Sequence, residues 1–377
     1  VQVVGEPYPV RLAVEDLSGL PPAERETALR QALHAERDRA FDLEHGPLFS
    51  ARLFRLGEDR HVLFSLRHNT VWDGWSFDVF RRDLAALYAH HSQGRPLSLP
   101  ELPVSYSDFA EWHAGWLAGP DCQRQLAYWR ERLAGGLEPL ALPVDRPRAT
   151  QRSHAAADEW FELPRAEVEA LTELGRAAGA TLYMTLFAAL GVLLHRYTGQ
   201  TDLLVATPVR NRARPEVEDL IGLFTNTLPI RARVDPGQGF EALLGATRDT
   251  ILEAFSHQEA PFELVSREAP APRLMFSMQE VRHRATALGE AKLSLPHLVP
   301  AGAALELNLW LLETQAGLTG ALNYSTELFD RASMVRFLAH FRQILTSIRE
   351  NPRLPVGRLA VVDAAERAQL RARSVSG

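Results

Sequence analysis

Apolar and polar positions recur along this chain with two periods, and the changes of period mark its elements. Over residues 21–42, Ala28, Leu29, Ala32 and Leu33 recur among charges, which predicts a helix closed by Phe41-Asp42-Leu43 and Gly46-Pro47-Leu48. Residues 48–56 and 61–68 predict two strands with a hairpin loop at Gly57-Glu58-Asp59. Val62, Phe64 and Leu66 interleave with Leu63 and Ser65, so the second strand is expected to be mostly buried on both sides. A stripe of Phe77, Phe80, Leu84 and Leu87 predicts a helix over 76–91. A Pro/Leu-rich connector at 94–103 leads to aromatic-rich helices over 106–133. Trp112, Tyr128 and Trp129 sit there at helical spacing beside other aromatics, which predicts packing roles rather than substrate contacts.

Pro139, Pro143 and Pro147 make 137–152 an extended linker, because proline removes a donor and breaks helices. The main boundary is placed there, dividing the chain into 1–148 and 149–377. The second part predicts strands at 159–163, 202–208, 224–234, 274–279, 305–313 and 318–324. Helices are predicted at 165–179, 181–197, 239–256 and 330–350, with Thr181 opening the second of them. Strands and helices mix in both parts, so the fold class is α/β or α+β with two lobes.

The 377 residues fit two or three domains at ~150 residues each, or one large pseudo-repeated one. With 46% hydrophobic and 23% charged residues, the composition is globular and excludes disorder or a disulfide scaffold. Cys122 is the one cysteine, so no internal disulfide or CxxC metal pair exists, and a small apolar residue in a reducing compartment is the expected role. A net charge of −6 and pI near 6.1 give no nucleic-acid footprint. Among 41 Lys and Arg residues only Lys292 is a lysine, which leaves Schiff-base, P-loop and Ser–Lys chemistry almost without a candidate. No apolar run approaches the ~20 residues of a membrane span and no signal peptide is present, so a soluble, cytoplasmic protein is expected. Because the first residue is Val1, the chain is expected to be cut from something longer.

No GxSxG, GxGxxG, HExxH or P-loop is present. His90-His91 and His113 are expected on helix surfaces. His34, His45, His154, His283, His297 and His340 show no partner pattern, and each is expected to be structural. The segment from His68 to Gly74 stands apart: a strand runs into His-Asn-x-x-x-Asp-Gly and then a helix. Strand ends carry reactive groups because the scaffold fixes them while the loop leaves them reachable. The plainer alternative is a turn that only caps the following helix.

These residues resemble the His-His-x-x-x-Asp-Gly signature of the condensation domains of nonribosomal peptide synthetases. The resemblance extends over nearly the whole chain, with further core motifs in family order. Among them are Tyr106-Ser107-Asp108-Phe109-Ala110-Glu111-Trp112, Thr181-Leu182-Tyr183-Met184, His195-Arg196-Tyr197-Thr198-Gly199-Gln200, Thr207-Pro208-Val209-Arg210-Asn211-Arg212, Ile221-Gly222-Leu223-Phe224-Thr225-Asn226-Thr227-Leu228 and His257-Gln258-Glu259-Ala260-Pro261-Phe262-Glu263-Leu264-Val265. Tyr128-Trp129 through Leu142-Pro143-Val144-Asp145-Arg146-Pro147-Arg148 resembles the family's inter-lobe stretch. The resemblance implies two chloramphenicol-acetyltransferase-like lobes in a V around a tunnel. It implies no bound cofactor or metal, since donor and acceptor arrive as thioesters on the phosphopantetheine arms of carrier domains. Partners are those carrier domains, neighbouring domains of a peptide or hybrid peptide–polyketide assembly line making natural products, or a recruited tailoring enzyme.

The family's second histidine is its general base or positioner, and here Asn69 stands in its place. An amide does not titrate near neutral pH and cannot act as a base. His68 is not expected to substitute, because adjacent strand residues face opposite ways, and Arg67 is a weak replacement for the same reason. Asp73 and Gly74, with Arg212, are expected to be structural, Asp73 ionised and paired with Arg212. Val1-Gln2-Val3-Val4 resembles a point inside the family's first lobe, so the first core motif is expected to be missing from these residues. The family's Arg-Asp-x-Ser-Arg-Asn-Pro-Leu motif is expected to be shortened over 266–274, and 358–367 resembles an onward linker. The expected function is a condensation-family domain with amide formation weakened or lost, serving as a docking or recruitment platform. The alternatives are an active domain in which Asn69 orients substrate, or one in which Asn69 is an engineered change.

Overall fold

The computed structural model describes residues 2–6, 9–148, 153, 155–280, 287–293 and 302–375. The chain forms two compact units. The first holds residues 1–106 together with 216–224; the second holds 107–215 and 225–377.

In the first unit, strand β1 (Ala13–Asp16) runs parallel to β2 (Phe49–Arg55), and helix α1 (Pro22–Arg37) makes the crossover that a parallel pair requires. β2 pairs antiparallel with β3 (His61–Arg67) as the predicted hairpin. One face of this sheet carries Phe54 and Phe64 against Leu29 and Leu33 of α1. The opposite face carries Phe49 and Arg67 against Trp72, Phe77 and Phe80 at the start of α2 (Gly74–Gln93). β3 is not buried on both sides, as its run of apolar residues suggested: Leu63 is 43% exposed, because α1 and α2 leave that part of the sheet open. Helix α1 ends at Arg37, short of residue 42, where Asp38 leaves helical geometry.

In the second unit, helix α3 (Tyr106–Ala118), whose first residue still belongs to the first unit, and α4 (Pro120–Leu133) precede β4 (Ala156–Pro164), α5 (Arg165–Ala177), α6 (Leu182–Thr198), β5 (Asp202–Val209) and β6 (Asn226–Arg233). There follow α7 (Phe240–Ser256), α8 (Phe262–Val265), β7 (Leu274–Glu280), the two-residue strands β8 (Ala287–Leu288) and β9 (Ala291–Lys292), β10 (Leu307–Thr314), β11 (Gly317–Ser325), α9 (Arg331–Glu350) and α10 (Ala364–Val375). Six strands form one mixed sheet in the order β4-β11-β10-β7-β5-β6, parallel where β7 meets β10 and β5. Helix α6 lies deepest: Thr181 caps it by accepting from the Met184 amide at 3.3 Å, and Gly199 closes it at φ 72°. No single helix among the described residues is long and apolar enough to cross a membrane.

The units therefore part at Tyr106 rather than along the proline-rich stretch. The reason is packing. Helix α4 buries Cys122, Leu126, Trp129 and Leu133 in the core of the second unit, and the extended stretch follows it there through Leu140 and Leu142. Three charged residues strap that stretch down. Asp145 accepts from the Asp330 amide and the Ser333 hydroxyl, Arg146 pairs with Asp330, and Arg148 grips Glu306 with two hydrogen bonds of 2.8 and 2.9 Å. The stretch resembling an onward linker is also structured: the Arg196 guanidinium donates to the carbonyls of Gly357 and Leu359, and helix α10 follows.

Candidate functional site

Strand β3 ends at Arg67, and the backbone turns into a single 3-10 turn, Asn69–Val71, with His68 as its cap. His68 Nδ1 accepts from the Thr70 amide at 3.2 Å and lies 2.9 Å from the Thr70 hydroxyl, so the neutral ring carries its proton on Nε2. Its ring meets Phe41 edge-on. Because the strand has ended, the alternation expected to set His68 and Asn69 on opposite faces does not operate here. Asn69 is exposed, and among the described residues its side chain makes no hydrogen bond.

Asp73 ends the turn and caps α2. Its Oδ1 accepts from the Ser76 amide at 2.8 Å and the Ser76 hydroxyl at 2.7 Å, while Ser76 Oγ faces the Asp73 amide at 3.4 Å, completing a capping box. Asp73 Oδ2 accepts from the Phe224 amide at 3.1 Å. The Ser76 hydroxyl also lies 2.9 Å from the Gly222 carbonyl and 3.0 Å from its amide. Trp75 donates through its indole to the Glu218 carbonyl, Arg82 pairs with Asp219, and the Tyr106 hydroxyl donates to the Leu223 carbonyl at 2.7 Å. The start of α2 thus organises the 216–224 segment, joining residues from three of the sequence motifs. The Asp-Gly turn thus does more than cap the helix, since it also fixes a distant segment. Asp73 is only 7% exposed. Arg212, 5% exposed, belongs to the second unit.

Ser76 was absent from the residues singled out by sequence, although Asp-x-x-Ser before an apolar helix was the available signal. Gln125 was also missed, and Asn226 was named within the 221–228 motif without a role of its own. Asn226 Nδ2 donates to the carbonyls of Gln258 and Ala260 at 2.7 Å each, and its Oδ1 accepts from the Phe262 amide at 3.1 Å. Gln125 Oε1 accepts from the amides of Glu259 and Ala260. Together they fix residues 258–262, which carry another of the motifs.

Trp129 is 1% exposed, its indole donating to the His257 carbonyl at 3.0 Å, and Tyr128 stacks on the His257 ring at 3.8 Å. Burial raises the Tyr128 pKa. Trp112 lies tilted against Trp116, with the Arg214 guanidinium 4.1 Å above its ring. His113 is not a free surface group: it stacks between Phe109 and Trp116, and desolvation lowers its pKa. His340 likewise has partners, Tyr197 at 2.6 Å and Glu366 at 3.0 Å. His154, His283 and His297 lie outside the described residues. Among the described residues no cluster of His, Cys, Asp and Glu has metal-binding geometry.

The mixed α/β architecture is that of the chloramphenicol-acetyltransferase-like fold, and the solved structures it matches are condensation domains and their kin. The condensation-domain family model matches residues 1–371, and the chain belongs to that family. It is 38% identical to a linear gramicidin synthase of Brevibacillus parabrevis over 98% of this chain and 5% of that protein. Phosphinothricin tripeptide synthetase PhsC of Streptomyces viridochromogenes is 36% identical over 94% of the chain and 34% of its own length. The chain thus spans a twentieth to a third of these curated relatives. The X-domain from teicoplanin biosynthesis superposes with a TM-score of 0.84 at 27% identity, covering 96% of this chain and 83% of that one. The same kind of domain in complex with OxyB gives 0.80 at 28% identity, covering 94% and 80%. The first condensation domain of the calcium-dependent antibiotic synthetase, with a substrate analogue, gives 0.80 at 25% identity, covering 95% and 80%.

Proposed function

We propose that this condensation domain receives carrier-tethered thioesters in a peptide or hybrid assembly line but forms amides weakly or not at all, and acts chiefly as a docking and recruitment platform. The observation that carries this reading is Asn69, an exposed amide where the family has its catalytic imidazole. The neighbouring His68 is no ready substitute, because its Nδ1 is committed to Thr70. Loss of a positioned base costs ~10²–10⁴ in rate. Likeness to an X-domain solved with OxyB supports recruitment of a tailoring enzyme. No cofactor is needed in this reading, since the reactive thioesters come with their carriers.

A second reading keeps the chemistry. The chain is 38% identical to part of a named peptide synthase, and an amine held beside a thioester reacts by proximity even without a base. Loaded donor and acceptor carrier domains separate the two. Saturable carrier binding without thioester-dependent amide formation is the platform outcome, and turnover at a rate comparable to His-bearing relatives overturns it.

A further inference from the structure

We propose that Arg67 is a preorganised receptor for an anionic group, a phosphate or a carboxylate, presented at the end of β3 two residues from Asn69. Arg67 Nη1 is held by the Ser65 carbonyl at 3.0 Å and the Ser65 hydroxyl at 2.8 Å. The guanidinium carbon lies 5.1 Å from the Trp72 ring centroid and 4.8 Å from that of Phe77. These contacts fix the plane of the fork on two aromatic faces, yet use only one of its nitrogens. Nε and Nη2 have no acceptor among the described residues, and no carboxylate there pairs with the cation. The adjacent indole N–H of Trp72, in a residue only 8% exposed, has no acceptor either. A second cation, Arg81, lies over the same Phe77 ring at 5.9 Å.

Arg67 and Trp72 together therefore hold more donors than the acceptors around them can take. A half-buried arginine is costly to desolvate, and burial lowers its pKa. Protein cations so placed normally face a carboxylate. Here the free edge of the fork offers two parallel N–H donors, the geometry that binds carboxylate or phosphate bidentately. The aromatic walls add cation–π attraction and hold the guanidinium still, so little side-chain entropy is lost when an anion docks. Two sources fit this chemistry: the phosphate of a carrier's phosphopantetheine arm, or a carboxylate on the tethered acyl chain.

Affinity of the full chain for three soluble probes separates them: pantetheine, phosphopantetheine, and a glutaryl-pantetheine amide analogue. One anionic probe is expected to bind at least tenfold tighter than neutral pantetheine, and Arg67→Met, which keeps the apolar stem, is expected to erase that preference. A preference for phosphopantetheine assigns the arm, and a preference for the glutaryl probe assigns the acyl group. Arg67→Lys keeps the charge without the fork and is expected to lose most of the preference, which preserves the test should Arg67→Met fold poorly. Equal binding of all three probes, or a preference that survives in either variant, overturns the assignment. Neither outcome depends on whether the domain forms amides.

Discussion

Gly222 stands so close to Tyr106 that a methyl group on its α-carbon would lie 2.3 Å from two carbons of the Tyr106 ring. The ring cannot simply swing away, because its hydroxyl donates to the Leu223 carbonyl at 2.7 Å. Gly222→Ala is therefore expected to destabilise the chain by the ~1–3 kcal/mol typical of overpacking. The same substitution on a Tyr106→Ala background is expected to cost far less. Denaturant unfolding of the four proteins measures this coupling, and equal costs on both backgrounds would refute the steric account.

Ser76 is fully buried and joins Asp73 to Gly222. Ser76→Ala strips partners from the Asp73 carboxylate and from both backbone groups of Gly222. The expected loss is ~1–3 kcal/mol, the cost of leaving buried polar groups unpaired. Asp73→Asn should cost a similar amount despite its equal size. One carboxylate oxygen faces Ser76 and the other the Phe224 amide, so the amide NH₂ must meet a donor in either orientation. Proteolysis of native protein should then show faster cleavage within residues 216–224; unchanged protection there would mean that the segment is held by other contacts.

The segments at 216–224 and 258–262 mark how far the sequence could be read. Periodicity found the helices and strands around both, and Thr181, Asp73 and the apolar run of α6 carried enough local chemistry to place them. Ser76, Asn226 and Gln125 act through backbone groups dozens to more than a hundred residues away, and no local pattern reveals such a partner. Prolines 139, 143 and 147 correctly signalled extended chain, but not that the chain would be strapped to the second unit. That outcome depends on buried Leu140 and Leu142 and on ion pairs with residues near 306 and 330. The motif at 68–74 was legible in identity, while the end of β3 at Arg67, which decides where His68 and Asn69 sit, was not.

Glu306 has an 8% exposed side chain and is gripped by Arg148, with Arg273 at 3.5 Å as a weaker second partner. Removing one member of a fully buried pair costs ~3–5 kcal/mol. Arg148 is 35% exposed and Arg273 remains, so Arg148→Ala is expected to cost less, ~1–3 kcal/mol after solvent screening. Arg148→Ala combined with Glu306→Gln should recover part of the loss, because the buried carboxylate is then no longer left short of a partner, although Arg273 gives up its weaker contact. Thermal unfolding of both variants checks this, and a double variant less stable than Arg148→Ala would contradict it.

Tyr197 donates to His340 at the base of the contact with Glu366 in α10, and burial pushes its pKa up to about 12, with Glu366 adding to the rise and Arg336 opposing it. The folded chain thus holds the phenolic proton more tightly than the unfolded chain, whose tyrosines titrate near ~10. Stability from this group is complete below pH ~10 and is lost as pH rises from there through about 12. Tyr197→Phe should flatten that part of the stability curve while lowering stability at pH 8 by the ~0.5–1.5 kcal/mol of one hydrogen bond. An unchanged alkaline slope would assign the effect to other buried tyrosines.

Asn69→His tests the chemistry directly. The exposed turn can hold the imidazole with little strain, since the two side chains are similar in reach and the Asn69 side chain has no hydrogen bond to break among the described residues. If the missing base limits amide formation, the variant should form product from loaded donor and acceptor carriers ~10²–10⁴-fold faster. The gain should also rise with pH through the imidazole range near ~6.5, because only the neutral ring accepts a proton. The carriers are essential to the measurement, as free thioesters lose the tethering that supplies proximity. No gain would place the lesion elsewhere, most directly in the 266–274 stretch that is expected from the sequence to be shortened, and would strengthen the platform reading. A wild-type chain that already turns over at a rate the histidine does not improve would remove that reading and leave Asn69 as a group that orients substrate.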